Sequence, residues 1–346
     1  MKKVLNILGR CALVLLLTVL MLLVLIMGAF AILAYGPSAE WQRRFVATFD
    51  ETSAMKFVPR IYLSEEKVQE LLHPTPTKPE ADIFEELTFE DGTQSKPTDS
   101  SQGQVVVTDP PDDGKWMEII EIKESTYKGK MMVIHDPSKV IVGTLDAYGS
   151  ECYGMTLDSF IAKYGAIGGT NAGGFDDPDG KGTGGIPDGL VIRNGVIAWG
   201  SPDAWYADVI GFDADHILHV GNMTGQQALN LNLISAVSFA SGPVLIKDGV
   251  LLTGLGGGLN PRTCIGQTAD GTVLLLVLEG RKPDSLGATY DDLAQLMYRY
   301  GAVNAANLDG GSSSMMYYNG EQITRSSSVF GMRTLPTAIL VLGENS

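Results

Sequence analysis

The sequence predicts a mixed α/β (α+β) domain: a largely antiparallel or mixed sheet with hairpins and two packed helices, preceded by one apolar N-terminal helix. Three observations carry that prediction. An uncharged run rich in Leu and Val extends from Cys11 to Tyr35. Four later segments rich in β-formers are each broken by Asn-Gly or Asp-Gly. Two short amphipathic stretches carry helix-capping residues at both ends.

The N-terminal run follows Lys2, Lys3 and Arg10. At about 1.5 Å per residue it is long enough to cross a bilayer. A signal-peptide core is usually about 7–15 residues, so residues 1–35 are expected to be an uncleaved transmembrane signal anchor. Ala29-Phe30-Ala31 resembles a small-x-small cleavage site and keeps a cleaved signal peptide as the alternative. The basic residues before the run favour a cytoplasmic N-terminus and an extracytoplasmic remainder, although Arg43 and Arg44 partly balance them. The expected location is therefore the cell membrane, single-pass.

Residues 36–72 read as a helical juxtamembrane stalk, because "WQRRFVATF" and "SEEKVQELL" have helix-like apolar spacing. Residues 73–114 are rich in Pro, acid, Ser and Thr and cannot bury enough apolar surface to offset chain entropy. They read as a flexible linker. Residues 115–346 carry the globular pattern.

Within that region "LVIRNGVIAW" (190–199), "VLIKDGVLL" (244–252), "IGQTADGTVLLLVL" (265–278) and "MMYYNGEQI" (315–323) read as hairpins. Asn-Gly and Asp-Gly supply the positive φ that tight hairpin turns need. In "GATYDDLAQLMYRYGA" (287–302), Thr289 and Asp292 have capping-box spacing, Leu293, Leu296, Met297 and Tyr300 form a stripe, and Gly301 suits the stop. "GMTLDSFIAKYGA" (154–166) repeats the plan, from Thr156 to Gly165. "YGAIGGTNAGG" (164–174) also aligns without a gap on "YGAVNAANLDG" (300–310). This suggests an internal pseudo-repeat whose strands neighbour one another and whose loops, after Asn171 and Asn307, share a cleft. Coincidence between similar helix-to-strand connections is the alternative.

The net charge of −15 over 346 residues argues against nucleic acid as the main partner, since phosphate-backbone binding needs a basic surface. Cys152 and Cys264 show no disulfide spacing and are expected to be buried thiols. No nucleophile elbow, P-loop, dinucleotide fingerprint or HExxH occurs. His216 and His219 lack an evident third ligand for zinc.

Four places hold candidate chemistry. "TNAGGFDDPDGKGTGGIPDG" (170–189) is long, acidic and glycine-rich, which is costly to order. It superficially resembles a Ca²⁺ loop but lacks EF-hand spacing, so no metal is required there, and Ca²⁺ or Mg²⁺ stays open beside a solvated loop. Arg262 follows the glycine-rich "GLGGGLNP" and offers a planar fork for phosphate or carboxylate, or is a surface arginine at a strand start. Glu279 and Arg281 close the apolar run "TVLLLVL", at a site edge or where a strand leaves the core. "NLDGG" (307–311) is either a tight turn or an acid in a loop open to a charged substrate.

Taken together, "TNAGGF", "GLVIRNGVI", "SGPVLIKDG", "PRTCIGQTADG", "LEGRKPDSLGATYDDLAQLM", "GAVNAANLDGGSSSMMYYNG" and "GMRTLPTAILV" resemble, in order, the motifs of the phosphodiester glycosidase family, over roughly Ile119 to Leu342. The resemblance implies a mixed α/β domain that hydrolyses a sugar-1-phosphodiester to free sugar and a phosphomonoester. The family's polar positions fall on Asn171, Arg262, Asp309 and Arg333, with Gly310, Gly311 and Ser312 beside the aspartate. Two departures are visible: Glu279-Gly280-Arg281 stands where the family often has Asp-Gly-Arg, and Cys264 where Ala is common.

The resemblance implies Asp309, Glu279 and Asn171 as catalytic residues, with Asp309 the nucleophile or charge stabiliser of an oxocarbenium-like state and Asn171 positioning the sugar. Arg262 and Arg333 would clamp phosphate, an already acidic leaving group that needs charge neutralisation more than protonation. Gly310, Gly311 and Ser312 would allow close backbone approach, and Gly173, Gly174 and Asn307 would join them in binding substrate and phosphate. The expected substrate is a sugar phosphodiester on a cell-surface polysaccharide or other glycoconjugate. The rival readings are a non-catalytic glycan-binding or exopolysaccharide-assembly protein, and a metal-dependent phosphodiesterase that cuts P–O.

Overall fold

The computed structural model describes residues 2–52, 55–72, 115–178, 182–328 and 331–344. The linker expected over 73–114 lies outside them. Four helices come first: α1 (Lys2–Tyr35), α2 (Ala39–Asp50), α3 (Phe57–Arg60) and α4 (Glu65–Leu72). Next come β1 (Met117–Lys123), β2 (Lys128–Ile134), β3 (Val140–Thr144), α5 (Leu157–Tyr164), β4 (Ala166–Asn171), β5 (Val191–Arg193) and β6 (Val196–Trp199). The middle holds β7 (Trp205–Asp213), β8 (Leu218–Thr224), α6 (Gly225–Asn230), β9 (Leu233–Ser238), β10 (Val244–Lys247) and β11 (Val250–Leu251). The last stretch contributes β12 (Arg262–Thr268), β13 (Val273–Leu278), α7 (Tyr290–Arg299), β14 (Ala302–Asn307), β15 (Met316–Tyr318), β16 (Glu321–Gln322) and β17 (Thr337–Leu342).

The strands form three sheets, ordered β1-β2-β13-β12-β14-β10-β11, β16-β15-β4-β17-β3 and β6-β5-β9-β7-β8. Their ladders are antiparallel, as the hairpin signals predict. All four predicted hairpins form. Asn194-Gly195, Asp248-Gly249 and Asn319-Gly320 hold positive φ at both turn residues, the backbone that matches the right-handed twist of the flanking strands.

β13 is buried along its whole length, which is why "VLLLVL" shows no alternation. One of its faces joins Met132, Ile265, Leu275, Ile339 and Val237 in the core where the three sheets meet. Its other face packs under α7, whose Leu293, Leu296 and Met297 are buried with Leu274 and Leu276. Thr289 and Asp292 make the predicted capping box on α7. α5 ends at Gly165 in the left-handed region and packs Leu157 and Phe160 against Leu340.

The pseudo-repeat needs correction. β4 and β14 lie in different sheets, not side by side in one. Each is central in its own antiparallel sheet, so a shared helix–glycine–strand plan reflects a common way of entering a sheet rather than a duplicated pair. The loops that follow them nevertheless meet. Cys152 is half-buried and Cys264 fully buried, both as free thiols, and burial pushes the Cys264 thiol up.

α1 contains a segment, Leu8–Tyr35, long and apolar enough to cross a membrane. α2, α3 and α4 make the segment after α1 largely helical among the described residues, and they pack together rather than standing as a free stalk. Phe30 of α1 packs against Phe45 and Phe49 of α2, with Val68 and Leu71 of α4 in the same cluster. The far end of α2 rests on residues 258–260 of the sheet domain.

Candidate active site

Three strand ends converge: β4 at Asn171, β14 at Asn307 and β12 at Arg262. The fully buried Asn171 carboxamide ties them together. Its Oδ1 accepts from the Thr263 hydroxyl at 2.8 Å and the Met315 amide at 3.3 Å. Its Nδ2 donates to the Asp309 carbonyl at 2.6 Å. The Asp309 amide donates back to the Ala172 carbonyl at 2.9 Å, and Leu308 donates to Thr263 at 2.8 Å. Asn171 is thus a positioning residue, with its amide spent on the loop that carries the acid rather than turned toward a sugar.

The Asp309 side chain accepts hydrogen bonds from the Ser313 hydroxyl and the Gly310 amide. It keeps some solvent access, yet dense surroundings push its carboxyl up to about 7. Desolvation is the largest cause, opposed by its two hydrogen bonds and the Arg333 charge, and assisted by Asp177. Arg333 lies beside it: its Nη2 is 2.8 Å from the Asp177 carboxylate, its Nη1 donates to the Ser312 hydroxyl at 3.3 Å, and its guanidinium faces the Phe175 ring at 5.3 Å. A cavity of about 510 Å³ opens next to this pair, lined by Phe175, Asp176, Asp177, Pro187 and Asp188.

A second cationic group sits beside the same loop. Arg262 is 3% exposed and stacks on Tyr290, its guanidinium carbon 3.9 Å from the ring centre. Its Nε donates to the Ala288 carbonyl and its Nη2 to the Gly258 carbonyl. Arg281 donates from Nε and Nη2 to the Asn260 carboxamide oxygen at 3.2 and 3.0 Å. This group touches the aspartate loop, because the Gly311 amide donates to the Pro261 carbonyl. Gly311 is left-handed (φ +62), and a Cβ there would lie 3.4 Å from Arg281 Nη2.

The remaining expected residues serve the frame. Glu279 accepts from the Arg325 amide at 2.8 Å and from its Nε at 2.6 Å, so its carboxylate orders the loop at 325–328. The Ser327 hydroxyl then reaches the Gly311 carbonyl. Asn307 is fully buried; its Nδ2 donates to the Leu308 carbonyl, and its Oδ1 has no partner among the described residues. The Gly173 and Gly174 amides donate to the Thr337 hydroxyl and the Ser238 carbonyl, and a Cβ at Gly174 would meet the Phe239 ring at 2.6 Å.

Sequence reasoning missed Tyr290, Asn260 and Asp177 as members of the site, and the carboxylate of Glu51 that packs over Arg262 from the end of α2. Asp177 sits in the acidic loop, where its carboxylate pairs with Arg333. Among the described residues no group of three or more His, Cys, Asp or Glu side chains forms a metal-holding cluster.

The family model described as phosphodiester glycosidase matches residues 164–342. An uncharacterized Bacillus subtilis (strain 168) protein, the SPbeta prophage-derived YomE, is 33% identical over 144 residues, 39% of this chain. The match spans 22% of that relative's length. Among solved structures, the zebrafish N-acetylglucosamine-1-phosphodiester alpha-N-acetylglucosaminidase catalytic domain, auto-inhibited by its pro-peptide, superposes with a TM-score of 0.55 at 19% identity. That match covers 67% of this chain and 85% of the zebrafish one. A Burkholderia pseudomallei K96243 protein gives a TM-score of 0.48 at 16% identity, over 63% of this chain and 74% of its own.

Proposed function

This chain belongs to the phosphodiester glycosidase family, and from that membership we propose that it hydrolyses the glycosyl–oxygen bond of sugar-1-phosphodiesters, on surface glycopolymers or glycoconjugates outside the membrane that α1 anchors it to. The observation that carries the reading is the desolvated Asp309 carboxyl beside Arg333, on a loop whose Gly311 also touches the Arg262–Arg281 group through Pro261.

In this reading the C1–oxygen bond breaks with its electron pair leaving on the phosphate ester. Ionised Asp309 faces the positive charge that develops at the anomeric carbon, as its nucleophile or its stabiliser. Arginine neutralises the phosphomonoester as it departs. Water then supplies hydroxide to C1, and its proton goes to the surrounding solvent or the phosphate. Asn171 keeps the Asp309 backbone in place, and Glu279 fixes the neighbouring loop.

Product analysis tests the proposal. The full chain in detergent should convert a sugar-1-phosphodiester into free sugar and a phosphomonoester, with and without chelator, and Asp309→Asn should abolish turnover. Sugar-1-phosphate as product would mean P–O cleavage and overturn the reading. So would binding without turnover, or full activity in the Asp309→Asn variant.

A further inference from the structure

The C-terminal turn of α2 ends in the second arginine group, far from its own sequence neighbourhood. Glu51, the residue after α2, places Oε1 2.9 Å from the Gly258 amide and Oε2 2.9 Å from Asn260 Nδ2. Oε2 also lies 2.7 Å from Arg262 Nη2. The Asn260 carboxamide is set by Arg281, which takes its oxygen and turns its NH₂ toward the carboxylate. Every group that Glu51 meets is therefore a donor, and two arginines stand behind them.

The contact is built for close approach. Thr48 accepts from the Leu259 amide and Thr52 from Arg281 Nη2, each at 2.9 Å. A Cβ at Gly258 would fall 2.2 Å from the Thr48 backbone, so only glycine lets the helix seat. Arg281 adopts the left-handed region (φ +58), which a long side chain adopts only when its surroundings enforce it. The Arg262 charge also disfavours the charged form of Arg281, after burial itself. One carboxylate cannot balance both guanidinium groups. A phosphodiester offers two non-bridging oxygens that share one charge, in the places the two carboxylate oxygens hold. The phosphomonoester product adds the second charge that balances both guanidinium groups, and the Asp309 loop lies next door at Pro261.

We propose that Arg262, Arg281, Asn260 and the Gly258 amide form the site for the phosphate group of substrate and product, and that Glu51 occupies it as an internal stand-in, so that the end of α2 must withdraw before a phosphodiester can bind. This rests on the phosphodiester glycosidase reading of the same site. The Glu51 carboxylate oxygens take the place of two phosphate oxygens. Arg262, buried beneath them, becomes reachable only when they leave.

The test uses the full chain in detergent micelles with inorganic phosphate as the probe. Calorimetric titration should show phosphate binding on the order of tenfold tighter to Glu51→Gln and Glu51→Ala than to the unaltered protein, because the competing charge is gone. Unchanged or weaker binding would mean that Glu51 holds the arginines in position and would overturn the proposal. Hydrogen exchange on the unaltered protein needs no variant to fold: saturating phosphate should speed exchange of the amides at 45–52. Unchanged exchange there would overturn it equally. With a sugar-1-phosphodiester, the Glu51 variants should lower KM and leave kcat within about twofold. If no variant hydrolyses the diester, the proposed activity fails, while the phosphate titration still decides whether the site and its stand-in exist.

Discussion

Replacing Asp309 by Asn should stabilise the protein, and only at the pH values where the aspartate is asked to ionise. Burial raises the Asp309 carboxyl from a free value of 3.8 to about 7. At about 1.36 kcal/mol per pH unit, ionising it inside the fold costs about 4 kcal/mol more than ionising it in the unfolded chain. Its partial solvent access makes that an upper bound. The sign follows from proton binding. Between pH 3.8 and about 7 the native state holds a proton that the unfolded state has released, so this group's contribution is fully present below 3.8 and is lost as pH rises through about 7. Asparagine is nearly isosteric and still accepts from Ser313 and Gly310, but never charges. Chemical denaturation of both forms in detergent at pH 4, 6, 7 and 8.5 should give a stability difference near zero at pH 4, rising to about 2–4 kcal/mol in favour of Asn at pH 8.5. Other acids with raised values, such as Asp208 at about 6, cancel in the comparison. A difference that stays constant with pH would mean the carboxyl is well solvated, and the argument for a tuned acid would collapse.

Three further outcomes follow from the same geometry. Activity should rise to a plateau through pH 7 as Asp309 ionises, and Arg333→Gln should move that limb to higher pH, since the arginine charge favours the ionised form; a pH–rate profile that falls through this range refutes the assigned charge state. Asn171→Ala should cost about 2–3 kcal/mol of stability and lower kcat by about 100-fold, because it frees the Asp309 carbonyl, the Thr263 hydroxyl and the Met315 amide together; full activity with a normal melting temperature would show that the strut is dispensable. Glu279→Gln should lower the melting temperature by several degrees while kcat falls less than about tenfold, as expected of a loop anchor; a loss beyond about 1,000-fold without loss of stability would return Glu279 to the chemistry.

What was legible in the sequence was local. The four hairpins could be read because Asn-Gly and Asp-Gly encode a backbone angle, not a partner. α7 could be read because Thr289, Asp292 and Gly301 lie within one short window. Asp309, Arg262 and Arg333 were named through family motifs, and all three lie around one loop. The pairings were not legible. Asp177 meets Arg333, and Glu51 meets Arg262, across more than 150 residues with no periodic signal between them. Asn171 and Glu279 illustrate a different limit. Their residue types suit catalysis, but only the packing reveals that Asn171 is wholly buried and that Glu279 is held by Arg325. The pseudo-repeat failed for a related reason, since matching helix-to-strand signals specify how a strand is entered and not which sheet receives it.

The fate of the glycine amides decides where the leaving group's charge is neutralised. The sequence suggests a loop whose bare backbone cradles phosphate, yet the amides that the structure accounts for are already committed. Gly310 donates to the Asp309 carboxyl, Gly311 to Pro261, Gly173 to Thr337 and Gly174 to Ser238. Each would have to break a bond inside the fold before it could meet an oxyanion, at a cost of about 1–3 kcal/mol apiece. On the Arg281 side the arginines are held instead by Thr52 and the Glu51 anion, contacts that come from the end of α2 and would be released together if that end withdrew as proposed. The glycines therefore serve close packing around the acid, and in the proposed reaction the phosphate's charge falls to the arginines. In that proposal α2, packed at its other end against Phe30 of α1, is the element that links the N-terminal helices to the Arg262–Arg281 group.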